Sequence, residues 1–153
     1  MGIAVRVKIT GARETLAAFR KLPKDATVAL RDANTRISQD LALRIRLAAE
    51  TANGQSALVA PTVKAKRDRV PSVQAGGKKR AGKQARRSRG QRPTTVSDLI
   101  YGSNFGANFL KQFPKPTQPD HWFFDTVESN QELIERQWLK AVDDVLGKWG
   151  SGA

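Results

Sequence analysis

The feature that most constrains this chain is one continuous apolar stripe between residues 25 and 51. Its members recur at spacings of three, four or seven, as on the buried face of an amphipathic helix. They are Leu30, Ile37, Leu41, Ile45 and Ala48. Asn53 and Gly54 follow and provide the helix end. A helix of about 27 residues is ~40 Å long at 1.5 Å per residue. We therefore expect it to span the whole subunit and to pack against a neighbour.

Other regular elements are predicted towards both ends of the chain. Apolar residues alternate with charged ones over residues 3–9, which predicts a half-buried strand. Residues 12–22 predict a short helix, which Pro23 ends. Residues 125–149 predict a second long helix with Ile134 and Trp138 on its apolar face. We treat residues 150–153 as a tail.

The middle of the chain predicts two short strands on either side of a basic loop. Residues 70–75 form the first, with Pro71 favouring an edge position because proline lacks the N–H that a ladder needs. Residues 96–101 form the second, paired with the first. The predicted class is α+β: one domain over residues 1–153, in which a small, mostly antiparallel sheet packs against two long helices and one short helix.

The positive charge of this chain is strongly localised. Between positions 64 and 92 lie twelve of the 27 Lys and Arg residues but only one of the 14 acidic residues. Residues 76–92 contain no apolar side chain larger than that of Ala. Such a segment buries too little surface to offset the entropy lost on ordering, which predicts a flexible arm. Its cations are Lys78, Lys79, Arg80, Lys83, Arg86, Arg87, Arg89 and Arg92.

Two kinds of partner fit this basic arm. Lys and Arg at such density bind a phosphate backbone, with an affinity that falls steeply as salt rises. No aromatic residue is interleaved, so base stacking is not predicted. The alternative is an acidic protein surface, such as an adjacent subunit or ring. Both interpretations remain open from the sequence.

The residues provide little material for catalysis, metal binding or a cofactor. There is no cysteine and only one histidine, His121. Asp120 precedes it, but no nucleophile elbow accompanies the pair, so we expect a packing or interface histidine. The acidic residues that could bind a cation are interpreted as side chains on solvated helix faces; they are Asp32, Asp40 and Glu50 on one helix and Asp143 and Asp144 on another. The glycines at 102 and 106 lack the neighbours of a phosphate-binding loop and predict a turn. We expect no enzyme, metal or cofactor.

No membrane association is predicted. No apolar run approaches the ~20 residues that a bilayer requires. The first residues do not resemble a signal peptide, because their apolar positions alternate with charge.

Aromatic residues concentrate between 105 and 124, interrupted by prolines. Exposed aromatics beside proline are typical interface anchors. We select Phe109, Phe113 and Trp122 as candidates.

Read in order, the chain resembles the neck or tail-completion family of long-tailed bacteriophages. The opening strand and residues 11–23, GARETLAAFRKLP, are similar to the start of that family. Residues 100–106, IYGSNFG, and 121–127, HWFFDTV, resemble its later motifs, and residues 60–71 resemble the version found in phages of actinobacteria. Gln112 departs from the pattern, because an acidic residue usually stands there. The basic loop is also longer.

The resemblance covers nearly the whole chain through short, degenerate motifs. It implies a structural virion protein at the head–tail interface, made in the host cytoplasm and acting in head–tail joining and tail assembly. It further implies a homo-oligomeric ring, six- or twelvefold, between the connector or stopper and the tail proteins. Non-specific contact with packaged DNA fits the basic arm. The runner-up is a small basic nucleic-acid-binding protein without sequence specificity.

Overall fold

A three-stranded antiparallel sheet and a set of helices make up the parts of the chain that the computed structural model describes, residues 3–77, 95–106 and 113–149. The elements are β1 Ile3–Arg6, α1 Ala12–Phe19, α2 Lys24–Ala52, 3-10 helices Ser56–Leu58 and Ala60–Thr62, β2 Lys64–Lys66, β3 Ser72–Ala75, α3 Val96–Phe105, α4 Trp122–Ser129 and α5 Gln131–Trp149. This is the α+β class that the sequence predicts.

The long helix α2 is the element on which the others pack. Its 29 residues confirm the predicted helix to within one residue at each end. The buried face contacts β2, β3, α4, α5 and both 3-10 helices. Leu30, Leu41 and Ile45 are its largest fully buried apolar side chains. A helix this long is stabilised mainly by tertiary packing of one face, and less by the intrinsic helix propensity of its residues.

Two polar side chains in the same buried face hold the connection between β2 and β3. Ser38 accepts a hydrogen bond from the Ser72 backbone N–H at 2.9 Å, and Asn34 donates to the Asp68 carbonyl at 3.2 Å. From α5, the Trp138 indole N–H donates to the Arg69 carbonyl at 3.2 Å. Helices α2 and α5 thereby position the turn from which the central strand starts.

The predicted first strand and short helix are present but shorter, since β1 ends at Arg6 rather than at residue 9 and α1 ends at Phe19 rather than at residue 22. The sheet also differs from the predicted one in its strand pairing. Its order is β1-β3-β2, so β3 is central and pairs with β1 and β2. The predicted pairing of residues 70–75 with 96–101 is wrong, and so is the edge position for Pro71. Proline is tolerated because it precedes the first strand residue, Ser72, and offers only its carbonyl, which accepts from the Val7 N–H at 2.9 Å.

Residues 96–101 are helical rather than extended. They belong to α3, which begins with a capping box: the Thr95 hydroxyl accepts from the Asp98 N–H, and the Asp98 carboxylate accepts from the Thr95 N–H. These reciprocal bonds satisfy donors that a helix start otherwise leaves unpaired. The predicted turn at 102–106 is accordingly the last part of α3 and its end at Gly106. The basic segment therefore lies between a strand and a helix, not between two strands.

The predicted helix over residues 125–149 is two helices separated at Asn130. Helix α4 begins earlier, at Trp122, and α5 begins at Gln131. The Asn130 amide donates to the Thr126 carbonyl at 2.7 Å and accepts from the Arg44 guanidinium at 3.2 Å. Asparagine side chains that bind nearby backbone compete with helix continuation, and the contact with α2 adds to this effect.

Substitution on the two sides of α2 tests this packing. Replacing buried Ile45 by Ala should lower the free energy of unfolding by about 2–5 kcal/mol, because it leaves a cavity in the core beside α2. The matched control is Val28→Ala, which removes an exposed side chain on the same helix. It should change stability by less than about 0.5 kcal/mol. Urea denaturation measures both, and equal losses would contradict the assignment of the buried face.

Candidate functional site

The eight cations predicted to contact DNA or protein, Lys78 to Arg92, lie outside the residues that the structure describes. The described residues on either side of them do show how the segment is attached. The Gly77 N–H donates to the Ser97 hydroxyl at 3.2 Å, and the Ser97 N–H donates to the Gly77 carbonyl at 3.3 Å. The chain therefore leaves and returns at one point, where the end of β3 meets the start of α3.

Gly76 allows the end of β3 to lie close to α3 at this junction. Its N–H donates to the Thr62 hydroxyl at 2.9 Å, and its φ is +83°. A Cβ at this position would lie 2.6 Å from the Ile100 Cδ1 atom. Glycine meets both conditions without strain, whereas any other residue would have a disfavoured φ and would have to displace the Ile100 side chain.

The three predicted interface anchors differ in their surroundings. Phe109 lies outside the described residues. The Phe113 ring is half-buried and lies over Gly102, where a Cβ would be 2.6 Å from the ring Cζ atom. Trp122 is only 4% exposed, and its indole N–H donates to the Ser103 hydroxyl at 2.9 Å. A residue so placed belongs to the interior of the fold, so Trp122 does not have the exposure expected of an anchor.

The pair Asp120–His121 lies in a polar network that joins α2, α3 and α4. The Asn53 amide donates to the Asp120 carboxylate at 3.2 Å, and the His121 N–H donates to the Asn104 carbonyl at 3.0 Å. Ser103, a serine in this network, is fully buried and already bonded to Trp122. These contacts fit the packing histidine that the sequence predicts.

Asn104 is the central residue of this network. Its side chain is fully buried, donating to the Ile100 carbonyl at 2.8 Å and accepting from the Phe123 N–H at 2.9 Å. It thus satisfies an N–H in the first turn of α4, which has no partner within the helix. Backbone hydrogen bonding at the same point holds His121 at a φ of +54°.

An exposed aromatic pair on α3 escaped the sequence analysis. Tyr101 and Phe105 are 54% and 41% exposed, and their ring centroids lie 6.2 Å apart. The Phe105 and His121 rings are also perpendicular to each other, with their centroids 5.3 Å apart. Residues 101 and 105 would share a face in a strand as well as in a helix. In a helix, however, they are neighbours one turn apart, which lets their rings stack. The capping-box pattern at 95–98 was the available signal.

The acidic residues considered as cation ligands are mostly paired with bases. Asp32 binds Arg67, Asp40 binds Arg44 and Asp144 binds Lys140, at 3.1–3.2 Å. Among the described residues, no three His, Cys, Asp or Glu side chains form a group that would hold a metal ion. Within the same part of the chain, no helix is long and apolar enough to cross a membrane.

A groove lies on the outer side of the junction between α2 and α5. Its volume is about 290 Å³, and its lining combines apolar residues with charges of both signs. Ala33, Ile37 and Ala141 are apolar; Arg36, Asp40, Lys140 and Asp144 are charged. One turn further along the same side of α2 lie Leu43 and Leu47, each 54% exposed. Leucines four residues apart share a helix face, so the groove and the leucines form one surface, here called the α2 outer face.

Comparison with protein-family models, with curated proteins and with solved structures finds no match for this chain.

The attachment of the basic segment can be tested at Gly76. Gly76→Ala should destabilise the protein by about 1–3 kcal/mol, because the added methyl meets Ile100 in a strained backbone conformation. Gly11→Ala is the matched control, since Gly11 has a φ of +77° with nothing within 4 Å of its added Cβ. It should lose only the part that arises from positive φ. Chemical denaturation measures the free energy of unfolding of both variants. Equal losses of stability would mean that Gly76 is not held against α3.

Proposed function

We propose that this chain is a non-enzymatic structural subunit of a bacteriophage particle, part of a neck or tail-completion ring that joins the head to the tail. The α2 outer face carries the proposal. It combines two half-exposed leucines with an adjoining groove on a helix about 43 Å long. A subunit that must close a ring needs such a lateral surface. The ordered resemblance of the chain to the phage family supports the same assignment.

The composition of the α2 outer face suits contact between copies. Its apolar residues supply area that gains from removal from water. The lining of its groove includes Arg36 and Asp40 on one helix and Lys140 and Asp144 on the other. Charges of both signs at the edge of an interface fix orientation more than they add affinity. Repetition of one such head-to-tail contact generates a closed ring when the rotation between copies allows it.

In this proposal the basic segment reaches past its own subunit. The bonds between Gly77 and Ser97 hold both its ends at one junction. Its cations then meet either phosphates of packaged DNA in the channel or an acidic face of the neighbouring connector, stopper or tail protein. Either contact would be accelerated by charge steering. The ring itself is proposed to be six- or twelvefold.

Deletion of residues 78–92 separates this proposal from a small, non-specific nucleic-acid-binding protein. A ring subunit should retain its oligomeric state and lose only docking or DNA contact. A simple DNA-binding protein should lose its DNA binding, and it should form no ring either before or after the deletion. Light scattering and DNA-binding measurements on the same deletion variant distinguish the two.

Polar substitution on the α2 outer face should weaken assembly. For Leu43→Ser/Leu47→Ser we expect association between copies at least about tenfold weaker, corresponding to ~1.4 kcal/mol, because apolar area is lost from the contact. Val28→Ser is the control, since Val28 is also exposed but lies near the other end of α2. The measurement is molar mass by size-exclusion chromatography with light scattering. A wild-type chain that remains monomeric, both alone and with tail or connector partners, contradicts the proposal.

Particles produced with and without this gene provide the direct test of the biological role. Electron micrographs of the deletion should show unjoined heads and tails, or tails of uncontrolled length. Complementation with the wild-type gene should restore joined particles, and complementation with the Leu43→Ser/Leu47→Ser gene should not. Normal infectious particles that lack the protein would refute a neck or tail-completion role.

A further inference from the structure

The solvent side of the sheet is basic, and neither the sequence motifs nor the proposed ring accounts for it. Strand register places Arg6 beside Ser72 and Ser72 beside Lys66, while Ala4 pairs with Gln74 and Gln74 with Lys64. Paired residues share a face of a sheet. Because Ala65 and Val73 occupy the alternate positions, these two rows face away from α2. Ser72, in the middle of one row, is only 1% exposed. The exposed surface is therefore formed by Ala4, Arg6, Lys64, Lys66 and Gln74, and it is here called the basic sheet face.

The charges on the basic sheet face are only partly neutralised. Arg6 binds Asp68 at 2.9 Å. Lys64 and Lys66 are exposed and have no acidic partner among the described residues. Two residues of an antiparallel strand span ~6.8 Å, and the outer strands of a three-stranded sheet are ~9.5 Å apart. The cations therefore lie on one patch roughly 7 by 10 Å.

The remaining side chains of the patch restrict the kind of partner. Within the described strands, this face presents no apolar side chain larger than that of Ala4 and no aromatic side chain. Protein interfaces rely on aromatic and other large anchors, and lysine is depleted in them. Single-stranded nucleic acids are bound by stacking of bases on aromatic rings. A phosphate backbone in a duplex requires neither, only cations and polar groups.

We propose that the basic sheet face binds the phosphate backbone of duplex DNA without sequence specificity, with Lys64 and Lys66 as the contacting cations. Arg6 contributes from β1 when its pair with Asp68 gives way to a phosphate. Exposed lysines on an edge strand also discourage edge-to-edge association of sheets. That role requires charge alone and predicts no DNA affinity, so the two roles are separable. The proposal does not depend on ring formation.

The test compares two double variants of the full chain in binding to a fluorescently labelled 24-base-pair duplex. Lys64→Gln/Lys66→Gln removes the proposed contacts. Lys21→Gln/Lys24→Gln removes the same charge at exposed positions near the start of α2, about ten residues before the part of that helix that binds the sheet. Both variants leave the basic segment intact. Fluorescence anisotropy gives the dissociation constant at several salt concentrations, and thermal unfolding checks that each variant is folded.

For Lys64→Gln/Lys66→Gln we expect the slope of log K against log salt to become shallower by about 1.8, since each phosphate contact contributes ~0.9. The control variant should keep the wild-type slope. An unchanged slope in the first variant, or equal changes in both, overturns the proposal. So does a wild-type chain that does not bind the duplex.

Two further probes identify the partner. A single strand of the same sequence should bind more weakly than the duplex, because no aromatic platform is present on the described strands of this face. Poly-glutamate should compete poorly at equal charge. Preference for the single strand, or equal competition by poly-glutamate with equal sensitivity to the lysine substitutions, would assign the face to a different ligand. The oligomeric state measured on the same samples shows separately whether the ring proposal holds.

Discussion

The interior face of α2 is the constraint from which most of the described structure follows, because it carries both the apolar core and the polar groups that position the sheet. Leu30, Leu41 and Ile45 exclude water along its length. Asn34 and Ser38 bind the backbone between β2 and β3. A buried polar group left without a partner costs about 1–3 kcal/mol. The bonds to the Ser38 hydroxyl and from the Asn34 amide N–H therefore favour this placement of the sheet on the helix.

That placement separates two surfaces of different character. The sheet covers one side of α2 and points its basic face away from the helix. Leu43, Leu47 and the groove towards α5 lie on the side of α2 that the sheet leaves open. A subunit built in this way can make lateral apolar contacts while it presents cations to a polyanion. The two proposed activities do not compete for the same residues.

The junction at the end of β3 joins the basic segment to this arrangement. Gly76 lies against Ile100, and Gly77 exchanges hydrogen bonds with Ser97. The polar network around Asn104 then links α3 to the start of α4 and to the end of α2. Movement of α3 would therefore affect both the attachment of the basic segment and the aromatic residues near His121. The single histidine takes part through its backbone and through ring contact with Phe105.

The sequence by itself determined the elements whose information is local and repeated: the extent of α2, the first strand, the α+β class and the concentration of charge. A helix or strand that buries one face places its apolar residues at regular intervals, so these elements can be predicted from residue spacing. The concentration of charge can be read directly from the residues. Tertiary structure decided the rest. It made β3 central, because pairing depends on which strands α2 brings together, and it divided the last helix at Asn130 through a contact with Arg44. It also buried Trp122 against Ser103, since composition cannot reveal which aromatic side chains the fold encloses. Helix α3 is the intermediate case: its capping box was present in the sequence, but a short apolar run is compatible with strand or helix until its neighbours are known.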